Sequence, residues 1–399
     1  MLKHARDIKH LAALVYFTQG AVGITSIALP LYLRQMGWSI GAITTTSSII
    51  ALPWILKIFY GLLSDCLPLA GYRRKSYLML FPVISGAGWF VLSVIQPDRP
   101  FVIAALLAAN LGYAATDVIT DGLVVEHSTL FTTHVYQSIA WGARSAGAIV
   151  SSALGGWLTQ HLPPQSIFFI AAFLPLGTVF VAMQILEKKQ TRIPFSNVKE
   201  PLKRCARVLM TRRMFWFVLF LILMQSSACY GVPFFFYMRE GLHFSESFLG
   251  ILLSLGWGGA VVGSLLYGHW LSHWKLENVV RFAILVNLAN SLSILFIFNK
   301  ISAVFLVFLG GWMACITILP IMAACAVFSR NSGVEGTLFA ILASIYNLGQ
   351  MGFAFLGGKM HAFLGLKPLI LFAAAITLCI LLLLPRLKLQ ETLTPEHSG

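Results

Sequence analysis

Acidic residues are scarce in this sequence. The chain of 399 residues contains 14 Asp and Glu against 28 Lys and Arg, and 11% of its residues are charged. Soluble domains carry roughly 25% charged residues, whereas 58% of this chain is hydrophobic. This composition excludes an ordinary soluble domain and predicts an all-α protein that crosses a lipid bilayer many times.

Several kinds of chemistry are also missing. The six cysteines have no CxxC spacing, which predicts free thiols, and the histidines have no metal-ligand spacing. The sequence lacks a GxxxxGK[ST] phosphate loop and a nucleophile elbow, so we expect neither an ATP-driven pump nor an enzyme, and no cofactor or metal. The net charge of +14 is typical of basic loops on one side of a membrane, so no nucleic-acid partner is expected.

Apolar stretches long enough to span a bilayer, about 20 residues each, occur throughout the chain. We predict twelve spanning helices near residues 11–33, 39–63, 77–95, 101–125, 135–160, 166–186, 214–238, 246–271, 282–299, 302–327, 335–358 and 367–385. The first is too long for a signal-peptide core, and no cleavage pattern follows it, so it is interpreted as an uncleaved helix.

One connector, 187–213, is long and strongly basic. With twelve spans it lies on the same side as both termini and the "GYRRK" loop (71–75), and the positive-inside rule predicts that this side is cytoplasmic. The predicted organisation is a six-helix half (1–186), a linker (187–213), a second half (214–386) and a tail (387–399). A multi-pass protein of a bacterial inner membrane, acting as a monomer, is expected.

The two halves resemble each other. "SAGAIVSSALGGWL" (145–158) aligns with "NLGQMGFAFLGGKM" (347–360), which pairs Gly147 with Gly349 and Gly155 with Gly357. "FYGLLSD" (59–65) aligns with "LYGHWLS" (266–272) at nearly the same offset. Because both halves begin on the same side, the repeats are parallel, and parallel six-helix halves predict the major facilitator fold.

The loop after the second span carries a charged motif. Gly61, Asp65 and the "GYRRK" run resemble the facilitator motif between helices 2 and 3. The resemblance implies a cytoplasmic gate in which arginines pair with an acid at the end of helix 4. The gate residues would be Asp65, Arg73, Arg74 and Glu126. Arginine suits this role because its guanidinium pairs with carboxylates in bidentate geometry.

A longer pattern resembles one family in particular. "PW…K…YG…SD…P…GYRRKSY", "ATDVITDGLVVEHS" and "QSIAWGARSAG…LGGWL", over helices 2 to 5, are similar to the folate–biopterin transporter family. The resemblance implies secondary active transport of a folate-like or pterin-like anion. Family members commonly have Lys-Pro where this chain has Lys57-Ile58, a departure that keeps the charge and is expected to remove the kink.

Helix 4 concentrates carboxylates where they are costly. Asp117 and Asp121 are four residues apart and share one helix face, whereas Glu126 lies roughly opposite. An ionised group inside a membrane costs at least about 2.5–3.5 kcal/mol unless it is paired. Lys57 is the natural partner of either aspartate, and Arg144 is the other candidate. Two interpretations remain: a static ion-pair network, or exchange of a proton by one aspartate during transport.

Substrate contacts are expected at mid-span, because sites in this fold lie near the midplane. Arg144 suits an anionic substrate. The other polar and aromatic candidates are Gln19, Asn110, Tyr113, Gln225, Tyr230, Trp257, Trp312, Tyr346, Asn347 and Gln350. The leading hypothesis is proton-coupled import by alternating access. The alternatives are transport of another mid-sized polar solute, such as a muropeptide or siderophore, and a non-transporting receptor or scaffold.

Overall fold

The structure is a computed structural model that describes residues 2–94, 98–127, 133–189, 196–330 and 332–387. Helix is the only extended regular structure in these ranges, apart from one isolated bridge between Leu69 and Tyr72. Residues 190–195 of the predicted linker, and the predicted tail beyond Leu387, lie outside the described residues.

Most predicted spans consist of one long helix, and several are broken into shorter pieces. The helices up to the linker are α1 (Leu2–Ala21), α2 (Thr25–Gln35), α3 (Ile40–Ile50), α4 (Leu52–Ile55), α5 (Lys57–Cys66), α6 (Lys75–Val94), α7 (Arg99–His127), α8 (Thr133–His161), α9 (Pro164–Phe173) and α10 (Leu176–Met183). They are followed by α11 (Ser196–Leu209), α12 (Arg212–Leu223), α13 (Gly231–Phe236), α14 (Glu246–His269), α15 (Leu276–Ser293), α16 (Lys300–Ser329), α17 (Glu335–Leu364) and α18 (Leu366–Leu387).

A helix lies at every predicted span. Eleven helical segments of the described chain are long and apolar enough to cross a membrane. The remaining predicted span, 135–160, falls on α8, which has 29 residues but is less apolar. The predicted start at residue 282 is late, because α15 begins at Leu276 and its first turns carry an exposed Arg281–Glu277 pair at 3.0 Å. The prediction of an all-α, multi-span protein is confirmed.

The chain forms two compact units. The first comprises residues 1–38, 49–195 and 244–254, and the second comprises residues 39–48, 196–243 and 255–399. Relative to a division at the linker, the units exchange the first part of α3 and the first part of α14. The predicted domain boundaries stay a prediction.

The repeated glycines make equivalent close backbone contacts in the two units. In the first unit, a side chain at Gly155 of α8 would overlap the carbonyl oxygen of Ile24, which ends a short 3₁₀ segment after α1. In the second unit, a side chain at Gly357 of α17 would overlap the carbonyl oxygen of Cys229, inside the 3₁₀ segment after α12. Glycine allows this close approach because it has no Cβ. The repeat seen in the sequence therefore corresponds to a repeated helix contact.

The second span is interrupted next to Lys57. α4 ends at Ile55 and α5 begins at Lys57, while Leu56 between them has ψ +14°. Pro53, at the start of α4, lacks the N–H that would bond the preceding turn. The expectation that the kink is lost with Lys57-Ile58 is therefore wrong, since a helix break persists without a proline after the lysine.

Candidate functional site

The centre of the first unit contains an ion pair between α5 and α7. Lys57 Nζ lies 2.6 Å from Asp117 Oδ2, and the Asp117 side chain is only 4% exposed. Gln19 of α1 donates from Nε2 to the other carboxylate oxygen at 2.9 Å. Both oxygens of Asp117 therefore have donors, one of them cationic, which offsets the cost of keeping the carboxylate ionised away from water.

Asp121, one turn along α7, has a different environment. The hydroxyl of Tyr16, from α1, donates to its Oδ1 at 2.5 Å. Within the described ranges, no cationic side chain lies at ion-pair distance from Asp121. The nearby Lys57 pairs with Asp117 instead. Two carboxylates on one helix face are thus held by a cation in one case and by a neutral phenol in the other.

Arg144 projects from α8 beside this pair. Its guanidinium lies 5.5 Å from the ring centre of Trp141, one turn earlier on the same helix. No carboxylate of the residues that the structure describes lies within ion-pair distance of Arg144. A partly exposed guanidinium with an aromatic neighbour is suited to bind an anionic, planar group.

Polar side chains extend the site along α7. The indole of Trp54 donates to Asn110 Oδ1 at 3.1 Å, and Lys57 Nζ lies 5.0 Å from the Trp54 ring centre. Gln19 and Tyr113 line a small cavity of about 10 Å³. The Gln19 amide oxygen and the Tyr113 hydroxyl are buried without a well-formed hydrogen bond in the described part of the chain. This cavity has the volume of about one water molecule.

The predicted gate residues meet at one end of the first unit. Arg73 and Arg74 both place Nη2 2.7 Å from Asp65 Oδ1, and Arg74 Nη2 lies 2.7 Å from Glu126 Oε1. Arg74 is 6% exposed, whereas both carboxylates remain accessible to solvent. Gly122 makes room for this arginine, because a Cβ there would lie 2.9 Å from its guanidinium carbon.

A further carboxylate, Glu187, holds the gate loop. Its oxygens accept hydrogen bonds from the backbone N–H groups of Arg73, Arg74 and Lys75, the closest at 2.8 Å. These N–H groups lie at the first residue of α6 and just before it, where the helix dipole favours an anion. Lys75 Nζ donates in turn to the carbonyl oxygens of Met183, the last residue of α10, and of Ile185, two residues beyond it. The two helix ends therefore cap each other.

The candidates in the second unit have mixed environments. Tyr230 and Tyr346 are buried in apolar clusters, and the Tyr230 hydroxyl donates to Ser291 Oγ at 3.1 Å. Those that remain at least partly accessible are Gln225, Trp257, Trp312, Asn347 and Gln350. Contact of any of them with substrate stays a prediction.

Three residues of the site were not found from the sequence. Tyr16, in α1, and Glu187, after the end of α10, are distant in sequence from their partners, and a lone tyrosine or glutamate carries no motif. Trp141 had a local signal, because it lies three residues before Arg144 and therefore on the same helix face. Of the two residues, only Arg144 was predicted as a substrate contact.

Comparison with known proteins places the chain among transporters. The BT1 family matches residues 19–389. A folate-biopterin transporter of Synechocystis is 28% identical over 360 residues, covering 84% of this chain and 70% of that protein. A probable folate-biopterin transporter 4 of Arabidopsis thaliana is 24% identical and covers 90% of this chain and 89% of its own length.

Solved structures agree on the fold. A POT family transporter, solved in complex with 5-aminolevulinic acid, superimposes with a TM-score of 0.76 at 13% identity and covers 96% of each chain. This likeness confirms the major facilitator fold predicted from the repeats. Since the family match covers nearly the whole chain, this multi-pass membrane transporter, which is not an enzyme, belongs to the BT1 family of folate-biopterin transporters.

Proposed function

We propose that the protein imports a folate-like or pterin-like organic anion together with a proton, by alternating access. The observation that carries the proposal is the unequal pair of carboxylates on α7. Asp117 is neutralised by Lys57 at 2.6 Å, whereas Asp121 has the neutral hydroxyl of Tyr16. A group that exchanges a proton must be tolerated in both charge states, and Asp121 meets this condition better than Asp117.

The proton and the substrate have separate groups in this proposal. Asp121 takes up the proton, while Lys57 and Asp117 stay paired and hold α5 against α7. Arg144 binds the anionic part of the substrate, with Trp141 beside it to stack on a planar ring. Asn110 and Gln19 position Trp54 and Asp117.

The gate residues control access from one side. Under the positive-inside rule, the loop with Arg73 and Arg74 lies in the cytoplasm with both termini, in an inner membrane. The pairs with Asp65 and Glu126 latch this end of the first unit. Both carboxylates are partly exposed and can be hydrated when the latch opens, so the main cost of opening is to hydrate or re-pair the nearly buried guanidinium of Arg74.

The substrate class rests on the relatives, which are named folate-biopterin transporters. The fold alone is compatible with another mid-sized polar solute, such as a muropeptide or a siderophore. A receptor or scaffold without transport is disfavoured, because buried ionisable groups have no use there and are costly.

The test is uptake by purified protein, a monomer in this proposal, reconstituted into vesicles. Labelled folates, pterins, siderophores and muropeptides are supplied with and without an inward proton gradient. The proposal predicts accumulation of a folate or pterin that depends on the gradient. Accumulation of a different class alone would overturn the substrate assignment, and uptake that ignores the gradient would overturn the coupling.

A further inference from the structure

A second recess lies in the other unit, away from the carboxylates. A groove of about 640 Å³ follows the start of α15 and is lined by Trp274, Lys275, Asn278, Arg281, Phe282 and Leu285. We call it the α15 groove. Residues 278, 281, 282 and 285 are spaced to lie along one face of a helix. The groove therefore presents a single stripe of α15 together with the two residues that precede the helix.

The lining changes character along this stripe. Lys275 immediately precedes α15, Asn278 and Arg281 lie in its first two turns, and Phe282 and Leu285 are the apolar lining residues that come after them. Leu285 is 46% exposed, and an apolar side chain is accommodated better by lipid chains than by water. A polar, cationic beginning followed by an apolar continuation matches a molecule with an anionic head and a hydrocarbon tail.

The two basic residues of the groove have hydrogen-bond donors available for an anionic ligand. Lys275 makes no ion pair with any carboxylate of the described residues. Arg281 donates from Nη2 to Glu277 Oε1 at 3.0 Å, which leaves other guanidinium N–H groups of its five free to bind an acceptor. Glu277 itself does not line the groove. Since the Arg281–Glu277 pair is exposed, it competes weakly with a phosphate.

Aromatic residues place the groove at a membrane surface. Trp270 and Trp274 are 60% and 50% exposed, and tryptophan is enriched where hydrocarbon meets headgroups. Successive spans cross in alternate directions, so the start of α15 lies at the same end of the second unit as the start of α12, which follows the basic linker. Basic pockets at this level of a transporter are suited to anionic lipid headgroups.

We infer that the α15 groove binds one anionic phospholipid, with its phosphate between Lys275 and Arg281 and an acyl chain along Phe282 and Leu285. A small phosphate compound is disfavoured as the occupant, because it would leave the apolar half of the groove uncovered. The bound lipid would hold the loop between α14 and α15, 270–275, against the membrane. This inference does not depend on the proposed substrate or on proton coupling.

Lipid binding can be measured on the purified full-length chain by native mass spectrometry. The probes are phosphatidylglycerol, phosphatidylcholine and glycerol 3-phosphate. The groove variant is Lys275→Gln with Arg281→Gln. The matched control is Arg330→Gln with Arg386→Gln, which removes the same charge at the same end of the unit from two exposed arginines outside the groove. All four side chains are exposed, so both variants are expected to fold, and thermal unfolding in detergent checks this.

The expected result is preferential retention of phosphatidylglycerol by the wild type. Its affinity should fall by about 25-fold in the groove variant, because each basic side chain near a membrane surface contributes about fivefold, and should change little in the control. Leu285→Asn should also weaken the binding of phosphatidylglycerol, and it should not affect folding.

Three results would overturn the inference. Equal losses of phosphatidylglycerol binding in the groove variant and the control would mean that the lipid is attracted to positive charge in general and not to this groove. Equal retention of phosphatidylcholine would mean that the headgroup is not recognised. Competition by glycerol 3-phosphate as effective as that of the lipid, with Leu285→Asn unchanged, would identify a site for a free phosphate compound.

Discussion

The fourth span of each half differs sharply in chemistry. α7 carries Asp117, Asp121 and Glu126, whereas α16, at the corresponding place in the second half, has no acidic residue between Lys300 and Ser329. Around α7 the carboxylates pair with a lysine, a tyrosine hydroxyl and two arginines. Around α16 the packing is apolar, with the rings of Phe217 and Phe328 stacked at 3.9 Å.

The glycine contacts, by contrast, are alike in both units. Gly155 and Gly357 each bring a long helix against the backbone of a 3₁₀ segment. The repeat therefore supplies the helix scaffold of both units, whereas the acidic residues of the fourth span occur in the first half and not in α16. This difference suggests that proton coupling and the charged gate belong to the first half, while the second half contributes shape and aromatic surface. The predictions below test that division, beginning with the largest expected effect.

Removing the charge of Asp117 should cause the largest loss of stability. Asp117→Asn leaves Lys57 without its carboxylate, and breaking a buried pair costs about 3 kcal/mol or more. The measurement is thermal unfolding of the purified protein together with its yield in the membrane. The double variant Lys57→Gln with Asp117→Asn should recover much of the loss.

The comparison in the second half is Thr317, a buried polar residue of α16 whose hydroxyl donates to the backbone of its own helix. Thr317→Val should cost about 1 kcal/mol or less. If Asp117→Asn were no more harmful than Thr317→Val, the ion pair would have no special structural role.

Adding one methyl group at the repeated glycines should damage both units to a similar degree. Gly155→Ala and Gly357→Ala each force a side chain onto a backbone carbonyl, and overpacking of this kind costs about 1–3 kcal/mol. Gly142 and Gly352, on the same two helices, have open space where a Cβ would lie. Alanine at these control positions should leave the unfolding temperature unchanged or raise it. A large loss of stability at only one of the two repeated glycines would show that the two helix contacts are not equivalent.

Removing the charge of Glu187 should loosen the gate loop. Glu187→Gln weakens the hydrogen bonds to the start of α6, and bonds to a charged group contribute about 1.5–3 kcal/mol, of which the amide oxygen retains part. The expected signs are a lower unfolding temperature and faster tryptic cleavage after Arg73 and Arg74. Glu200→Gln, which removes an exposed partner of Lys203, should change both measurements by little. Identical behaviour of the two variants would exclude a capping role for Glu187.

Two tyrosines that donate to side-chain oxygens give the smallest and most selective comparison. Tyr16→Phe removes the donor to Asp121, and Tyr230→Phe removes the donor to Ser291 in the second unit. Each should cost about 0.5–1.5 kcal/mol of stability. Only Tyr16→Phe should move the pH at which uptake is half-maximal, and upwards, because the hydroxyl favours the ionised carboxylate. An equal shift of the half-maximal pH in both variants would show that Tyr16 has no specific role in proton coupling.

Much of this arrangement was predictable from the sequence. Hydropathy located the helices, and glycine spacing revealed the repeat because close helix contacts demand glycine at fixed positions. The motif after the second span brought Asp65, Arg73, Arg74 and Glu126 together before their distances were known. Helix rise was sufficient to place Lys57 at the depth of the α7 aspartates.

The partner of each α7 aspartate and the role of Glu187 could not be predicted, because they depend on tertiary contacts. Asp117 and Asp121 differ by about 6 Å along the helix, which is within the uncertainty of the predicted helix ends, so depth could not decide which one Lys57 reaches. In the structure Lys57 pairs with Asp117 and Tyr16 donates to Asp121, and the approach of Tyr16 from α1 depends on how that helix packs. Glu187 was missed for the same reason, since it follows α10 and acts on the start of α6.

The central claim is that Asp121, and not Asp117, carries the coupled proton. It is tested by comparing Asp121→Asn with wild type in vesicles loaded with a pH-sensitive dye, using the folate or pterin that the wild type transports. Two quantities are measured: accumulation driven by an inward proton gradient, and exchange of labelled for unlabelled substrate without a gradient. The account predicts that Asp121→Asn loses accumulation and substrate-dependent proton entry while exchange continues. Gradient-driven accumulation with normal proton entry in Asp121→Asn would contradict it.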